Sequence, residues 1–96
     1  MATQVETARW LVYRAAWLAD SGRDFSQAAA MAKLHASEVA NKVASASVQL
    51  HGGYGYVRET PISRFYADAK ILEIGEGTNE IQKNLIARRL LRDAGR

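Results

Sequence analysis

Apolar side chains recur at helical spacing from the start of the chain. Between about Thr3 and Ser21, Val5, Ala8, Leu11, Val12, Ala15, Leu18 and Ala19 mark one face, and Trp10, Tyr13 and Trp17 widen it. Gly22 stops this helix. Asp24 with Gln27 resembles a capping box for the next one, and Ser26 serves equally as its N-cap; the two readings differ by two residues. From Ser26 to His51 runs an alanine-rich segment without glycine or proline, so that both helix propensity and close packing favour a long helix. Its apolar stripe is Met31, Leu34 or His35, Val39, Val43, Ala46 and Leu50, with Ala32, Ala36, Ala40 and Ala44 alongside. The short glycine-containing turn between these two helices predicts an antiparallel pair.

Beyond His51 the pattern shortens. Gly52, Gly53 and Gly55, with Tyr54 and Tyr56 between and after them, supply more glycine than one helix terminus requires, which predicts backbone that is exposed or closely approached. Thr60 followed by Pro61 predicts an N-cap and first helical residue. The short helix that follows runs through Lys70 with Ile62, Phe65, Tyr66 and Ala69 inward. A last helix begins after Thr78 and uses Ile81, Leu85, Ile86 and Leu90, with Glu80 in its positive first turn and arginines in its negative last turn. No strand pattern or repeat competes. The predicted fold is all-α: one domain over residues 1–96, an antiparallel bundle of two long helices, a short helix and a C-terminal helix.

Composition narrows the function classes. Apolar residues make up 48% and charged residues 24% of the 96, a globular balance that argues against disorder. Cysteine is absent, which excludes a disulfide framework and a thiolate metal site; MATQVETAR carries no secretory pattern, and a cytoplasmic protein is the expectation. No apolar run approaches the ~20 residues that span a bilayer. The net charge of +3 comes from basic residues spread along the chain, and Lys83, Arg88, Arg89, Arg92 and Arg96 are explained by the last helix. No basic face with base-reading aromatics stands out, so nucleic acid is not an expected partner. His35 and His51 lack a second ligand at metal spacing; no metal site is assigned.

The chemistry concentrates in Ile74-Gly75-Glu76-Gly77-Thr78-Asn79-Glu80-Ile81-Gln82. One carboxylate stands between two glycines just before a helix start, where glycines permit positive φ and a close ligand, and Thr78 offers an oxygen to the free amides. These residues alone leave two readings open: an acid aimed at a pocket, or a solvated charge in a turn.

Taken in order, Gln49-Leu50-His51-Gly52-Gly53-Tyr54-Gly55-Tyr56, Asp68-Ala69-Lys70, Glu76-Gly77-Thr78-Asn79-Glu80-Ile81-Gln82 and Ile86-Ala87-Arg88 resemble the C-terminal helical domain of the acyl-CoA dehydrogenases. The resemblance runs from about Thr7 to Leu91 and takes in Ala29-Ala30-Met31-Ala32-Lys33. It implies a flavoenzyme that oxidises an acyl-CoA to its 2,3-enoyl form. Glu76 would then be the base that removes the α-proton, with a pKa raised enough to accept it, and the β-hydride would pass to the flavin of FAD. The amide of Glu76, with the flavin ribityl chain, would hold the thioester oxygen, and Gly75 and Gly77 would border the acyl-CoA. Gln49, Leu50, His51, Gly52 and Gly53 would contact the adenine side of FAD bound by a neighbouring subunit. Thr78, Asn79 and Glu80 would form a second FAD-contacting stretch, with Glu80 contributing its backbone or reaching ribose or adenine rather than phosphate. The implied partners are acyl-CoA, an electron-transfer flavoprotein and further copies of the chain.

Three departures accompany the resemblance. Gly75 stands where many members carry an aromatic residue, which widens the expected acyl pocket. Ala67 replaces a frequent arginine before Asp68. Members of the family are about four times longer, with an N-terminal helical domain, a middle β-domain and an arginine-bearing FAD motif, so the sequence reads as a truncation, a gene remnant or one piece of a split enzyme. Two functions from different classes follow: the C-terminal domain of a dehydrogenase, or a non-catalytic helical assembly module derived from one. For this chain alone the expectation is a self-associated helical protein, with Trp10 and Trp17 near the contact surface, lacking stoichiometric FAD and turnover.

Overall fold

The computed structural model describes residues 1–75 and 77–95. Among these residues five helices follow in order: α1 (Ala2–Asp20), α2 (Ser26–His51), α3 (Pro61–Ala69), α4 (Ile71–Ile74) and α5 (Asn79–Ala94), with a 3₁₀ turn over Gly52–Gly55 after α2. No strand occurs among the described residues, and the all-α expectation is borne out. No described helix is long and apolar enough to cross a membrane.

Local chemistry explains the boundaries. At the start of α2, Asp24 Oδ1 accepts from the Ser26 amide at 3.1 Å and from its hydroxyl at 2.8 Å. That is an Asx-type turn two residues on, so Ser26 is the first helical residue and Phe25 occupies the cap position. Pro61 opens α3 with Thr60 extended before it, although the Thr60 side chain makes no cap bond. The short helix ends at Ala69, one residue before its expected limit, and a further turn, α4, carries Ile71–Ile74 into the glycine loop. Thr78 caps α5 as expected: its Oγ1 accepts from the Ile81 amide at 3.3 Å.

Helix α2 is the axis on which the other helices lie. α1 packs along one side. α3 and α4 cover the C-terminal half of the other side, where Asn41 reaches the Ala69 carbonyl. α5 runs antiparallel along the N-terminal half, since Asn79 meets Ser37 and Arg89 meets Ser26.

The interior is built from small residues. Ala8, Ala28, Ala30, Ala32, Val39, Ala44 and Ala69 are buried with Ser37 and Asn79, and no large side chain is fully enclosed among the described residues. Helix axes can approach closely where side chains stop at Cβ, which accounts for the alanine-rich composition of α2. Several apolar residues expected inward instead face out: Leu50 is 75% exposed, Phe65 64%, Tyr66 50%, Ile81 57% and Leu90 52%. Periodicity identifies an apolar face but does not say what covers it, and within this chain only α2 is surrounded. The accessible surface of 6930 Å² accordingly exceeds the roughly 5,500 Å² expected of a compact monomer of this mass. The radius of gyration, 15.9 Å, likewise exceeds about 12.5 Å.

Candidate active site

The glycine loop between α4 and α5 is suspended over the middle of α2. Gly75 leaves α4 extended, at φ −70° and ψ 151°, a conformation open to any residue; of the two glycines that permit positive φ beside Glu76, Gly77 adopts it, at +93°. A Cβ at Gly77 would strain the backbone and stand 2.8 Å from Gln82 Nε2. Glu76 itself lies outside the described residues.

Polar groups from α2 hold the loop on both sides. Lys33 Nζ donates to the Gly77 carbonyl and to Asn79 Oδ1, each at 2.8 Å. Asn79 is buried, and its amide pairs with the equally buried Ser37 hydroxyl, Nδ2 donating to Oγ at 3.0 Å. One turn further, Asn41 Nδ2 donates to the carbonyls of Ser37 and Ala69, both at 2.8 Å, tying the end of α3 to α2 just before α4 begins. Lys33, Ser37 and Asn41 thus form a ladder at intervals of four residues on one face of α2. Sequence reasoning assigned none of them a role. The available signal was three polar residues at helical spacing among alanines.

Beside the ladder is an open pocket of about 430 Å³ lined by Lys33, Ala36, Ser37, Ile71, Leu72 and Gly75. Its lining combines an apolar wall from α2 and α4 with one ammonium group. A neighbouring hollow of about 520 Å³ shares Ile71 and Leu72 and continues between α2 and α3. Gly75 borders the first pocket without a side chain to fill it.

The remaining candidate residues separate into two places. Thr78, Asn79 and Glu80 sit at the start of α5, opposite Ser37, with Glu80 exposed and the Asn79 amide turned inward, so that only its backbone is left to face a ligand. Gln49, Leu50, His51, Gly52 and Gly53 sit exposed at the end of α2, on the order of 20 Å further along that helix. Gly52, at φ +62°, and Gly53 have nothing within 4 Å of where a Cβ would stand. Gly55 is different: a Cβ there would lie 2.6 Å from the Val48 carbonyl, so its bare backbone serves packing. The open Gly52–Gly53 backbone fits contact with a flat, extended cofactor, and the start of α5 offers amides to a polar group, but one copy of the chain does not bring these two surfaces together. His51 Nδ1 lies 2.7 Å from the Ser47 carbonyl. No group of residues suited to a metal occurs among the described residues.

This arrangement of helices recurs in the C-terminal part of a solved acyl-CoA dehydrogenase structure. The model for the acyl-CoA dehydrogenase C-terminal domain matches residues 1–91, and the chain belongs to that family. A probable acyl-CoA dehydrogenase of Bacillus subtilis is 50% identical over 96% of this chain and 24% of its own length. The caffeyl-CoA reductase-Etf complex subunit of Acetobacterium woodii is 44% identical over 96% of the chain and 24% of its own. Butyryl-CoA dehydrogenase from Megasphaera elsdenii superposes with a TM-score of 0.93 at 48% identity, over 95% of this chain and 24% of that one. The chain spans about a quarter of the length of the curated relatives it matches. The family is one of flavoprotein oxidoreductases.

Proposed function

We propose that these residues form the C-terminal domain of an FAD-dependent acyl-CoA dehydrogenase in which Glu76 abstracts the α-proton of an acyl-CoA. The observation that carries this reading is the position of the Gly75–Gly77 loop, fixed over α2 beside an apolar pocket whose rim includes Gly75. A carboxylate between those glycines can meet a thioester because no side chain on either neighbour obstructs it. The apolar wall formed by Ala36, Ile71 and Leu72 suits an acyl chain. The amide of Glu76 donates to the thioester oxygen as negative charge develops there. FAD, when bound, supplies the acceptor for the β-hydride. Gln49 to Gly53 face the adenine side of a cofactor held by a neighbouring copy, a reading supported by their open backbone and by their distance from Thr78–Glu80 in one copy. A relative described as a subunit of an Etf complex supports an electron-transfer flavoprotein as redox partner.

The test is to graft residues 1–92 in place of the matching segment of the Bacillus subtilis relative and assay the flavin-loaded protein with acyl-CoA and an artificial acceptor. Glu76→Gln should lower turnover by ~10²–10⁴-fold while FAD is retained. Undiminished turnover would end the assignment.

A second reading, a non-catalytic assembly module, is favoured by one observation. Trp10, Tyr13 and Trp17 stand 62%, 55% and 56% exposed along α1, an aromatic row of the kind that marks contact surfaces. Light scattering on the chain alone, with a spectrum after adding FAD, separates the two. Self-association lost in Trp10→Ser with Trp17→Ser and no flavin uptake fits either reading, whereas a monomer binding FAD one-to-one contradicts the assembly module.

A further inference from the structure

We propose that Lys33 is a positioning residue for the catalytic loop: its ammonium clamps the Gly77 carbonyl and the start of α5, and thereby anchors the C-terminal end of the loop that carries Glu76. The proposal rests on the reading of Glu76 as the base, since without a base in the loop there is nothing to aim.

The geometry is unusual for a lysine in the middle of a long helix, where the charged head would ordinarily reach water. Lys33 is instead half-buried, and its Nζ places two charge-assisted bonds of 2.8 Å on the loop, one to the Gly77 carbonyl and one to Asn79 Oδ1. Those acceptors come one and three residues after Glu76, across more than 40 residues of sequence from Lys33. Gly77 is a joint in the segment: a glycine with φ +93° directly before the helix cap Thr78. Holding its carbonyl fixes the peptide plane on the far side of that joint. The Asn79 bond fixes the helix start to which the plane is attached, and Ser37 locks the Asn79 amide from below. An ammonium suits this role because its three rotatable donors can address two separate acceptors at once.

Entropy gives the clamp its function. A loop whose C-terminal anchor wandered would carry its acid with it, and a misplacement of about 1 Å costs on the order of 10²-fold in rate. Because Lys33 also lines the pocket, its stem forms part of the wall that an acyl group would touch, so substrate and base are referred to the same side chain.

The experiment has two arms that fail separately from the assignment of Glu76. In the chain itself, hydrogen exchange of Lys33→Met, which keeps the stem and removes the donors, should show amides Ile81 and Gln82 exchanging at least about 10-fold faster while those of α2 and α1 are unchanged; Lys33→Arg should recover part of that protection. Equal acceleration in every helix, or none at the loop, overturns the proposal whatever Glu76 does. In the grafted enzyme, Lys33→Met should lower kcat by about 10²-fold with KM and flavin content unchanged. A rise in KM at constant kcat would instead assign Lys33 to substrate binding alone and overturn the positioning role. If Lys33→Met fails to fold, Lys33→Gln, polar but too short to reach both acceptors, is read in the same two assays.

Discussion

The two ends of α5 are both fastened to α2, by opposite means. At its N-terminal end the buried amide of Asn79 meets the buried Ser37 hydroxyl and the half-buried Lys33 ammonium. At its C-terminal end Arg89 donates to Asp24 Oδ2 and to Ser26 Oγ, both at 3.1 Å, with the Asp24 side chain 62% exposed. Water competes more freely for the second fastening than for the first, where the Asn79–Ser37 contact is buried. Desolvated bonds are costly to break because the groups left behind have no replacement partner, whereas an exposed ion pair dissolves into hydrated ions at little cost. The strong fastening lies at the end that carries the glycine loop. The weak one lies where the helix merely closes against the α1–α2 turn, far from the pocket.

Asn79→Ala is the change that strikes this contrast hardest. It removes one of the two acceptors of Lys33 and the donor to Ser37 at once, and both remaining groups lie where water enters poorly. A loss of about 1–3 kcal/mol is expected, read as a lower midpoint in urea by circular dichroism with an unchanged slope. A loss no greater than that of Arg89→Ala would mean that burial does not distinguish the two ends, and the contrast would collapse.

This contrast also marks what could be read from the sequence. The helices were legible because their signals are local: the alanine run without glycine in α2, Pro61 after Thr60, and Thr78 before α5 each act within one or two turns. The loop was legible because Glu76 between glycines is distinctive, and because several motifs stand in family order. Lys33, Ser37 and Asn41 were not legible as a unit, since their partners lie 28 to 46 residues away and only the antiparallel course of α3 and α5 brings them together. The outward-facing Phe65, Tyr66 and Leu50 illustrate the converse. An amphipathic pattern shows that a face is apolar, but the covering surface is a property of tertiary and higher structure. Gly75 shows how residue type can mislead, because its backbone angles are those of any extended residue and its contribution is the room it leaves in the pocket.

The smallest expected effect sharpens the same contrast through pH. The Asp24 carboxyl is held below its ordinary value of 3.8, first by the backbone amide of Ser26, then by the Ser26 hydroxyl and then by the charge of Arg89. A carboxyl lowered in the folded state stabilises that state fully above its unfolded value, and the contribution is lost as pH falls through the lower folded value. The N-terminal fastening of Lys33, Ser37 and Asn79 contains no carboxyl group. Acidification from about pH 6 to about pH 3 should therefore loosen α5 from its far end: after correction for intrinsic rates, amides at Leu90 to Asp93 should lose protection while those at Ile81 to Leu85 keep theirs. Asp24→Asn should remove most of this pH dependence, since a neutral amide oxygen still accepts from Ser26 but carries no charge for Arg89. Added salt near 1 M should weaken the far end at pH 6 as well, because the ion pair is open to screening and the buried amide contact is not. Equal loss of protection along the whole of α5 on acidification would show that the helix responds as one rigid unit, and the two fastenings would then have to be treated as a single cooperative contact.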